Sequence, residues 1–521
     1  MYITIAKIIK NNKRVGFLCQ DNTGNKHKLY DNQIIALMNA GEIFDITYSN
    51  RGFYFKDHTK TIKNLKSIQD TKVNIFKKQS TSMIIDEYTS DNLRNYIKNS
   101  GTLQLKQRDF VKAITEYCNG REVRVLSISG LRGTGKTTGI LQAINEINQY
   151  DNTVLINIDP TAEMTCLDLR NLILTKYSNA KYIFIDEITR IKDIINNSAF
   201  LADNLCMSGK KVIISGTDSL ALTHMKRAAL YHRVININIT FIKYAEAERT
   251  ANQSLREYIE MGGLYKADSI KDIEGLRDYI DTAVIDNIMN TITKNVGVTH
   301  LFGIQKLGIN KIRTIVFRIL YAVVYLNIQR IRDTSTRRIV NLYDYSSSAL
   351  YNESNLNSLA CAQMNVDEKI STNINEVGNV LSALKDIGII DSVQNIYNNS
   401  EYNYYITNPS ITNQIIRAIV STLDTTGLNK TPNATIKGLN GLVFESVIIK
   451  HTIEAAKKLG LQVYFYHDTS NAEIDLIVEK KYSPGLDDEY LYYEIKMTSD
   501  QDRAVASARW INDKTIESNI G

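Results

Sequence analysis

Short apolar runs punctuate the first half of the chain, and stretches of helical period separate them. Glu122-Val-Arg-Val-Leu-Ser-Ile-Ser129, Thr153-Val-Leu-Ile-Asn-Ile-Asp159, Tyr182-Ile-Phe-Ile-Asp-Glu-Ile188 and Lys211-Val-Ile-Ile-Ser-Gly-Thr217 are rich in β-branched residues. Runs that are apolar at successive positions predict strands covered on both faces, as in a parallel sheet. After the first run, Thr138 to Gln149 places Ile140, Leu141, Ile144 and Ile147 at helical spacing. Strands alternating with helices predict an α/β core, a parallel sheet with helices against it.

The pattern changes on either side of that core. Residues 1–57 alternate apolar and polar positions, with turn signals at Asn11-Asn12 and Asp21-Asn-Thr-Gly24, and predict a small β-rich module with a helix near Gln33 to Asn39. A polar linker is expected over 58–100, the α/β core over 101–242 and a helical region over 243–342. Within 343–421, Asn373 to Ile390 has helical spacing and Asp391 to Thr407 reads as two strands, the helix-plus-hairpin shape of a winged helix. The polar, turn-rich 422–440 reads as a second linker. The last unit, 441–521, opens with a helix from Gly441 to about Lys458. Strands follow over Asn471 to Val478 and Tyr490 to Lys496, then a helix over Asp500 to Trp510.

Chemistry enters at Gly130-Leu-Arg-Gly-Thr-Gly-Lys-Thr137, which fulfils G-x-x-x-x-G-K-[ST] between a strand and a helix. Glycines let successive backbone N–H groups converge on phosphate oxygens, and the helix adds its positive N-terminal end. Gly130, Gly133, Thr134, Gly135, Lys136, Thr137 and Thr138 are therefore candidate ATP-binding residues. Lys136 would reach the β- and γ-phosphates and Thr137 would ligate Mg²⁺. Asp186 ends a buried strand, where ligands bind in open α/β sheets, and would also hold Mg²⁺. Glu187 is placed to polarise the attacking water. Ser215 or Thr217, closing another strand, would sense the γ-phosphate.

A second constellation lies near the C-terminus. Asp475 sits on one predicted strand, and Glu494 and Lys496 lie two apart on the next, so their side chains share a face. Asp475 and Glu494 make a hard-oxygen site for Mg²⁺ or Mn²⁺, which Glu445 on the preceding helix would complete. Lys496 would orient water and offset charge on a phosphate. Catalytic roles are thus expected for Glu187, Asp475, Glu494 and Lys496.

These motifs together resemble the AAA-like P-loop ATPases of archaea and bacteria that carry a C-terminal PD-(D/E)XK nuclease-like domain. Ile214-Ser-Gly-Thr-Asp-Ser219 is similar to that group's strand ending in T-G-S. His232-Arg233 stands where the group has Gly-Arg, with histidine replacing the glycine. Tyr258-Ile-Glu-Met-Gly-Gly-Leu264 resembles its G-G-L-P segment, with Tyr265 replacing the proline. The resemblance spans roughly residues 101 to 510. It implies a P-loop NTPase core, a helical and winged-helix middle, a PD-(D/E)XK-like α/β end, and an ATP-sensing role for Arg233. After Lys496 one helix remains, whereas nuclease cores of this type usually add a further strand.

Bulk properties narrow the reading only slightly. A net charge of +6 over 521 residues fits nucleic acid without demanding it. Basic side chains cluster at Lys311 to Arg313 and Arg330 to Arg338. The five cysteines lack metal or disulfide spacing, which suits a reducing cytoplasm. The N-terminus has no signal-peptide layout, and Arg313 and Arg318 interrupt the longest apolar helix, so no membrane partner is expected. The leading functional expectation is ATP hydrolysis coupled to a metal-dependent nuclease on DNA, in mobile-element or defence biology. The alternative is an ATPase switch whose nuclease-like domain only binds DNA or a protein. A sensor role for the N-terminal module and a homo-oligomer are further options.

Overall fold

The computed structural model describes backbone over residues 2–10, 13–21, 26–30, 46–49, 52–55 and 61–62. It also describes 85–159, 161, 163–265, 270–294, 302–332, 370–425, 432–467, 473–480 and 489–495. The chain divides into two compact units, Met1–Ile84 and Ile85–Gly521.

The first unit carries β1 (Tyr2–Lys10), β2 (Lys13–Asp21), β3 (Lys26–Tyr30), β4 (Ile46–Ser49), β5 (Gly52–Phe55) and β6 (Thr61–Ile62). A four-stranded sheet runs β3-β2-β1-β6, and β4 and β5 form a separate antiparallel pair. The helix expected near Gln33 to Asn39 lies outside the described residues.

The second unit begins with β7 (Ile85–Thr89) and α1 (Ser90–Asn99), where a linker was expected. β7 pairs antiparallel with a core strand, and Leu93 and Ile97 of α1 are fully buried. The alternating apolar residues of this short segment are diluted by charge, so its pairing is invisible to a periodicity reading. Next come α2 (Val111–Asn119), β8 (Val125–Ser129), α3 (Lys136–Ile147), β9 (Thr153–Ile158), α4 (Cys166–Lys176) and β10 (Tyr182–Asp186). The core closes with β11 (Lys211–Ser215), α5 (Ser219–Arg227) and β12 (Val234–Asn238). The sheet order is β12-β8-β11-β10-β9-β7, parallel from β12 to β9. Every residue of β8, β10 and β11 is buried. Their side chains alternate between two cores. Val125, Ile183, Ile185, Val212 and Ile214 enter one; Leu126, Ile128, Phe184 and Ile213 enter the other with α1, α2 and α3.

The first of these cores is continuous well beyond the sheet. It takes in α6 (Tyr244–Ala251), α7 (Leu255–Met261), α8 (Ile273–Ile280), α9 (Asp286–Lys294) and α10 (Ile309–Arg332). It continues through α11 (Ile374–Ile387), α12 (Pro409–Thr425) and the start of α13 (Pro432–Leu459), where Leu442, Val443 and Val447 are buried. The boundaries expected at 243 and 441 therefore fall inside one shared core, and the one at 343 lies outside the described residues. Residues 432–440, read as linker, are the opening turns of α13. Pro432 fits a first helical turn, where its missing N–H costs nothing.

The C-terminal sheet also crosses an expected boundary. β13 (Ile390–Asn395), β14 (Tyr402–Ile406), β15 (Gln462–His467), β16 (Glu473–Lys480) and β17 (Glu489–Tyr493) lie in the order β14-β13-β15-β16-β17. β13 pairs parallel with β15 at Gln394↔Tyr464 and Asn395↔Phe465. Fully buried Asn395 locks the joint, donating to the His467 carbonyl and the Glu401 carboxylate, both at 2.8 Å. The hairpin read as a wing is built into this sheet instead of standing free. Lys450 of α13, on the sheet's helical side, pairs with Asp391 at 2.7 Å and Glu454 at 2.9 Å. Among the described residues, no helix is long and apolar enough to cross a membrane.

Candidate functional site

The C-terminal ends of β8, β11 and β10 are neighbours, and each delivers one piece of the site. β8 runs into the phosphate loop. Gly130, Gly133 and Gly135 all have positive φ (156°, 81° and 75°). A Cβ at Gly130 would collide with the Ile239 carbonyl, and one at Gly135 with the Arg108 guanidinium. Those two positions need glycine for space as well as for backbone freedom. Thr134 is buried and donates to the Leu131 carbonyl at 2.8 Å, closing the loop on itself. Thr138 lies in the first turn of α3.

Lys136 is buried and bonds the carbonyls of Gly130 and Leu131 at 2.8 and 2.9 Å. Burial lowers its pKa to about 8, against the opposing pull of Glu187, Asp186 and Asp218. The ammonium is thus a desolvated cation among loop carbonyls, primed for an anion.

Thr137 and Asp186 meet across the loop. The Thr137 hydroxyl donates to Asp186 Oδ2 at 2.7 Å. The other carboxylate oxygen, Oδ1, accepts from the Ser215 hydroxyl and from the Glu187 N–H at 3.1 Å. A hydroxyl and a buried carboxylate at one point make a hard-oxygen donor pair that fits Mg²⁺. The Ser215 hydroxyl is thus turned onto Asp186, and of the two residues expected to sense the γ-phosphate it is Thr217 that reaches Glu187.

Glu187 has a left-handed backbone, φ 58°, unusual for a non-glycine residue and common at functional sites. Its Oε2 accepts from the Thr217 hydroxyl at 2.9 Å and the Thr217 N–H at 3.2 Å. Arg190 Nε lies 3.7 Å from the same oxygen. Two donors on one oxygen fix the orientation of the carboxylate.

Side chains outside the motifs brace the loop from beneath. Arg108 is 1 % exposed. It donates to Glu246 of α6 at 2.6 Å and to the Thr134 carbonyl, and lies against the rings of Phe110 and Tyr265. The Gly262-Gly263-Leu264 segment docks on the same loop. Tyr265 N–H donates to the Gly133 carbonyl at 2.8 Å, and Ile242 N–H to the Gly263 carbonyl at 2.9 Å. Tyr279 of α8 donates to the Arg132 carbonyl at 3.0 Å. Beside this seam is a cavity of about 420 Å³ lined by Leu105, Ile242, Asn252, Gln253, Leu264 and Tyr265 among others. No sequence signal marked Arg108, Glu246, Tyr279 or the cavity, because each acts through a partner more than a hundred residues away or through space alone.

Arg233 does not join this site. It precedes β12 at the N-terminal edge of the sheet, where its carbonyl receives the Val125 N–H. The loop lies at the other end of β8, four residues or about 13 Å along the strand. Arg233 is 48 % exposed and pairs with Asp203 at 3.2 Å. Strand direction decides this, and the sequence reading lacked it.

At the C-terminal end, β16 and β17 are antiparallel with Leu476 opposite Tyr493. Just beyond that pair, Asp475 Oδ2 accepts the Ile495 N–H at 2.7 Å. β17 stops at Tyr493, so Glu494 follows the strand instead of lying within it. Among the described residues no group of three His, Cys, Asp or Glu side chains gathers to hold a metal. The three-carboxylate site of Glu445, Asp475 and Glu494 is therefore not assembled. The pairing of β15 with β16 is irregular between Tyr464 and Tyr466, close to Asp475. Lys496, the helix over Asp500 to Trp510, and residues 333–338 of the basic run lie outside the described residues.

Two family models match stretches of the chain. The AAA domain family (AAA_14) matches residues 122–248, and a domain of unknown function (DUF4143) matches residues 440–519. No curated protein matches the chain. Among solved structures, the chain is similar to the Orc1 protein of Aeropyrum pernix, determined in complex with DNA. That match has 10 % identity, covers 64 % of this chain and 94 % of that one, and has a TM-score of 0.23. It is also similar to Cdc6p from Pyrobaculum aerophilum, with 13 % identity, 67 % and 97 % coverage and a TM-score of 0.21. Residues 122–248 thus match the AAA domain family and hold the phosphate loop and the Asp186-Glu187 pair, which together support a P-loop ATPase domain there.

Proposed function

We propose that this chain hydrolyses ATP and uses the cycle to switch its helical and C-terminal parts between states. The observation that carries this is the meeting of Thr137, Asp186 and Glu187 at the mouth of the loop. Loop amides and Lys136 would bind the phosphates. Mg²⁺, held by Thr137 and Asp186, would supply charge neutralisation on the transferring phosphoryl group. Glu187, oriented by Thr217, takes a proton from the attacking water. The base would occupy the cavity beside Leu264 and Tyr265, whose backbone is bonded to the loop.

Two variants test the reading in the full chain, with phosphate release and nucleotide binding measured separately. Lys136→Ala is expected to lose both. Glu187→Gln is expected to bind ATP yet turn over roughly 100-fold or more slowly, the range for losing a general base. Normal turnover by folded Lys136→Ala would sink the assignment.

A second reading, a metal-dependent nuclease on DNA, draws support from the Asp475 carboxylate, which accepts the Ile495 N–H beside Glu494 at the end of the β16–β17 pairing. It is the finer form of the switch, with the C-terminal domain as its effector. Plasmid DNA incubated with Mg²⁺ or Mn²⁺, with and without ATP, separates the two. Cleavage lost in Asp475→Ala but not in Lys136→Ala supports a nuclease; no cleavage in any condition leaves a binding domain.

A further inference from the structure

Asn287 stands in the first turn of α9, 2 % exposed. Its Nδ2 donates to the Thr217 carbonyl at 3.2 Å, and its Oδ1 accepts the Leu220 N–H at 3.4 Å. One amide thus spans the turn between β11 and α5. That turn is the one that presents Thr217. Thr217 in turn gives both its N–H and its hydroxyl to Glu187 Oε2. Fixing the Thr217 carbonyl from one side and its donors from the other determines how the residue sits. The aim of the Glu187 carboxylate follows from it.

The segment that carries Asn287 also touches the phosphate loop. α8 and α9 are joined by a π-helical stretch, Asp281–Ile285, and such stretches reset the helical phase, often at functional sites. Tyr279, before it, holds the Arg132 carbonyl. Asn287, after it, holds the Thr217 carbonyl. Arg313 of α10 pins the stretch itself through Asp281 at 2.5 Å. One run of helix therefore bonds both the loop that would hold phosphates and the turn that aims the carboxylate.

We propose that Asn287 is a positioning residue for hydrolysis, through which the seating of α8 and α9 sets the orientation of Glu187 by way of Thr217. This rests on the hydrolysis reading above. The relay predicts an effect on turnover and none on nucleotide affinity, because Asn287 bonds no group of the phosphate loop.

The test uses Asn287→Asp, which keeps the shape and the acceptor for Leu220 but sets an oxygen against the Thr217 carbonyl. Asn287→Ser is a second, smaller variant in case the buried charge prevents folding. Each is compared with Thr217→Val and with the double variants, by kcat, nucleotide Kd and thermal melting. Expected are a fall in kcat of about tenfold, a Kd within about twofold, and no further loss when Thr217→Val is already present, since residues acting as one unit are non-additive. Unchanged kcat, a loss carried in Kd, or losses that multiply in the double variant would overturn the proposal. Glu187→Gln separates the two levels. If it turns over normally, the hydrolysis reading fails. If it is inactive while Asn287→Asp matches the native chain, only the Asn287 assignment fails.

Discussion

Removing Glu246 tests the buried pair beneath the phosphate loop. Arg108 is 1 % exposed, and among the described residues its charge is paired with the Glu246 carboxylate, at 2.6 Å. The same oxygen of Glu246 also accepts the Asp109 N–H at 2.9 Å. Glu246→Ala takes from the guanidinium its paired carboxylate and from the Asp109 N–H its acceptor among the described residues. Breaking one side of a buried ion pair costs about 3–5 kcal/mol, against a whole-domain stability of about 5–15 kcal/mol. The expected loss is thus roughly a fifth or more of the stability of a domain. Replacing both partners by apolar residues, Arg108→Met with Glu246→Leu, removes the uncompensated charge and is expected to cost far less than the single change. Urea unfolding followed by circular dichroism reads both. Nucleotide binding gives the second signal, because Arg108 also holds the Thr134 carbonyl. A single variant as stable as the native chain would refute the argument. So would a double variant no better than the single, since the cost would then lie in packing.

Other consequences can be measured independently. Burial lowers the Lys136 pKa to about 8, so nucleotide affinity should fall as pH rises through about 8 to 9, and Lys136→Arg should flatten that dependence even where it weakens binding. Burial pushes Asp391 up, but Lys450 and Lys457 outweigh it and hold the carboxyl below its usual 3.8. A depressed carboxylate contributes stability above its unfolded pKa and loses it as pH falls through the folded one, so melting temperature should drop below about pH 4, and less steeply in Lys450→Met. Tyr279→Phe removes the bond to the Arg132 carbonyl with no change of shape, and should weaken nucleotide binding by roughly five- to tenfold, the scale of one hydrogen bond. An unchanged affinity would show that the loop is held without it.

The phosphate loop, the Asp186-Glu187 pair and the buried strands were legible in the sequence because their determinants are local. Glycine spacing sets a backbone path, and an unbroken apolar run marks a strand covered on both faces. That Thr137 would meet Asp186 followed from motif chemistry, and their hydrogen bond is found. What the chain could not show by itself was direction and distance. Arg233 stands beside the right strand at its wrong end. β7 looks like linker until it pairs with β9. The hairpin over 390–406 reads as a free wing, yet its outer edge is taken by β15, some sixty residues on. Glu445, Asp475 and Glu494 follow a nuclease-like order along the chain, yet among the described residues no group of three such side chains gathers. Thr217, Asn287, Arg108 and Glu246 carry no complete motif. Each matters through hydrogen bonds or an ion pair to residues distant in sequence, and only the packing of the helices against the sheet brings those partners within about 3 Å.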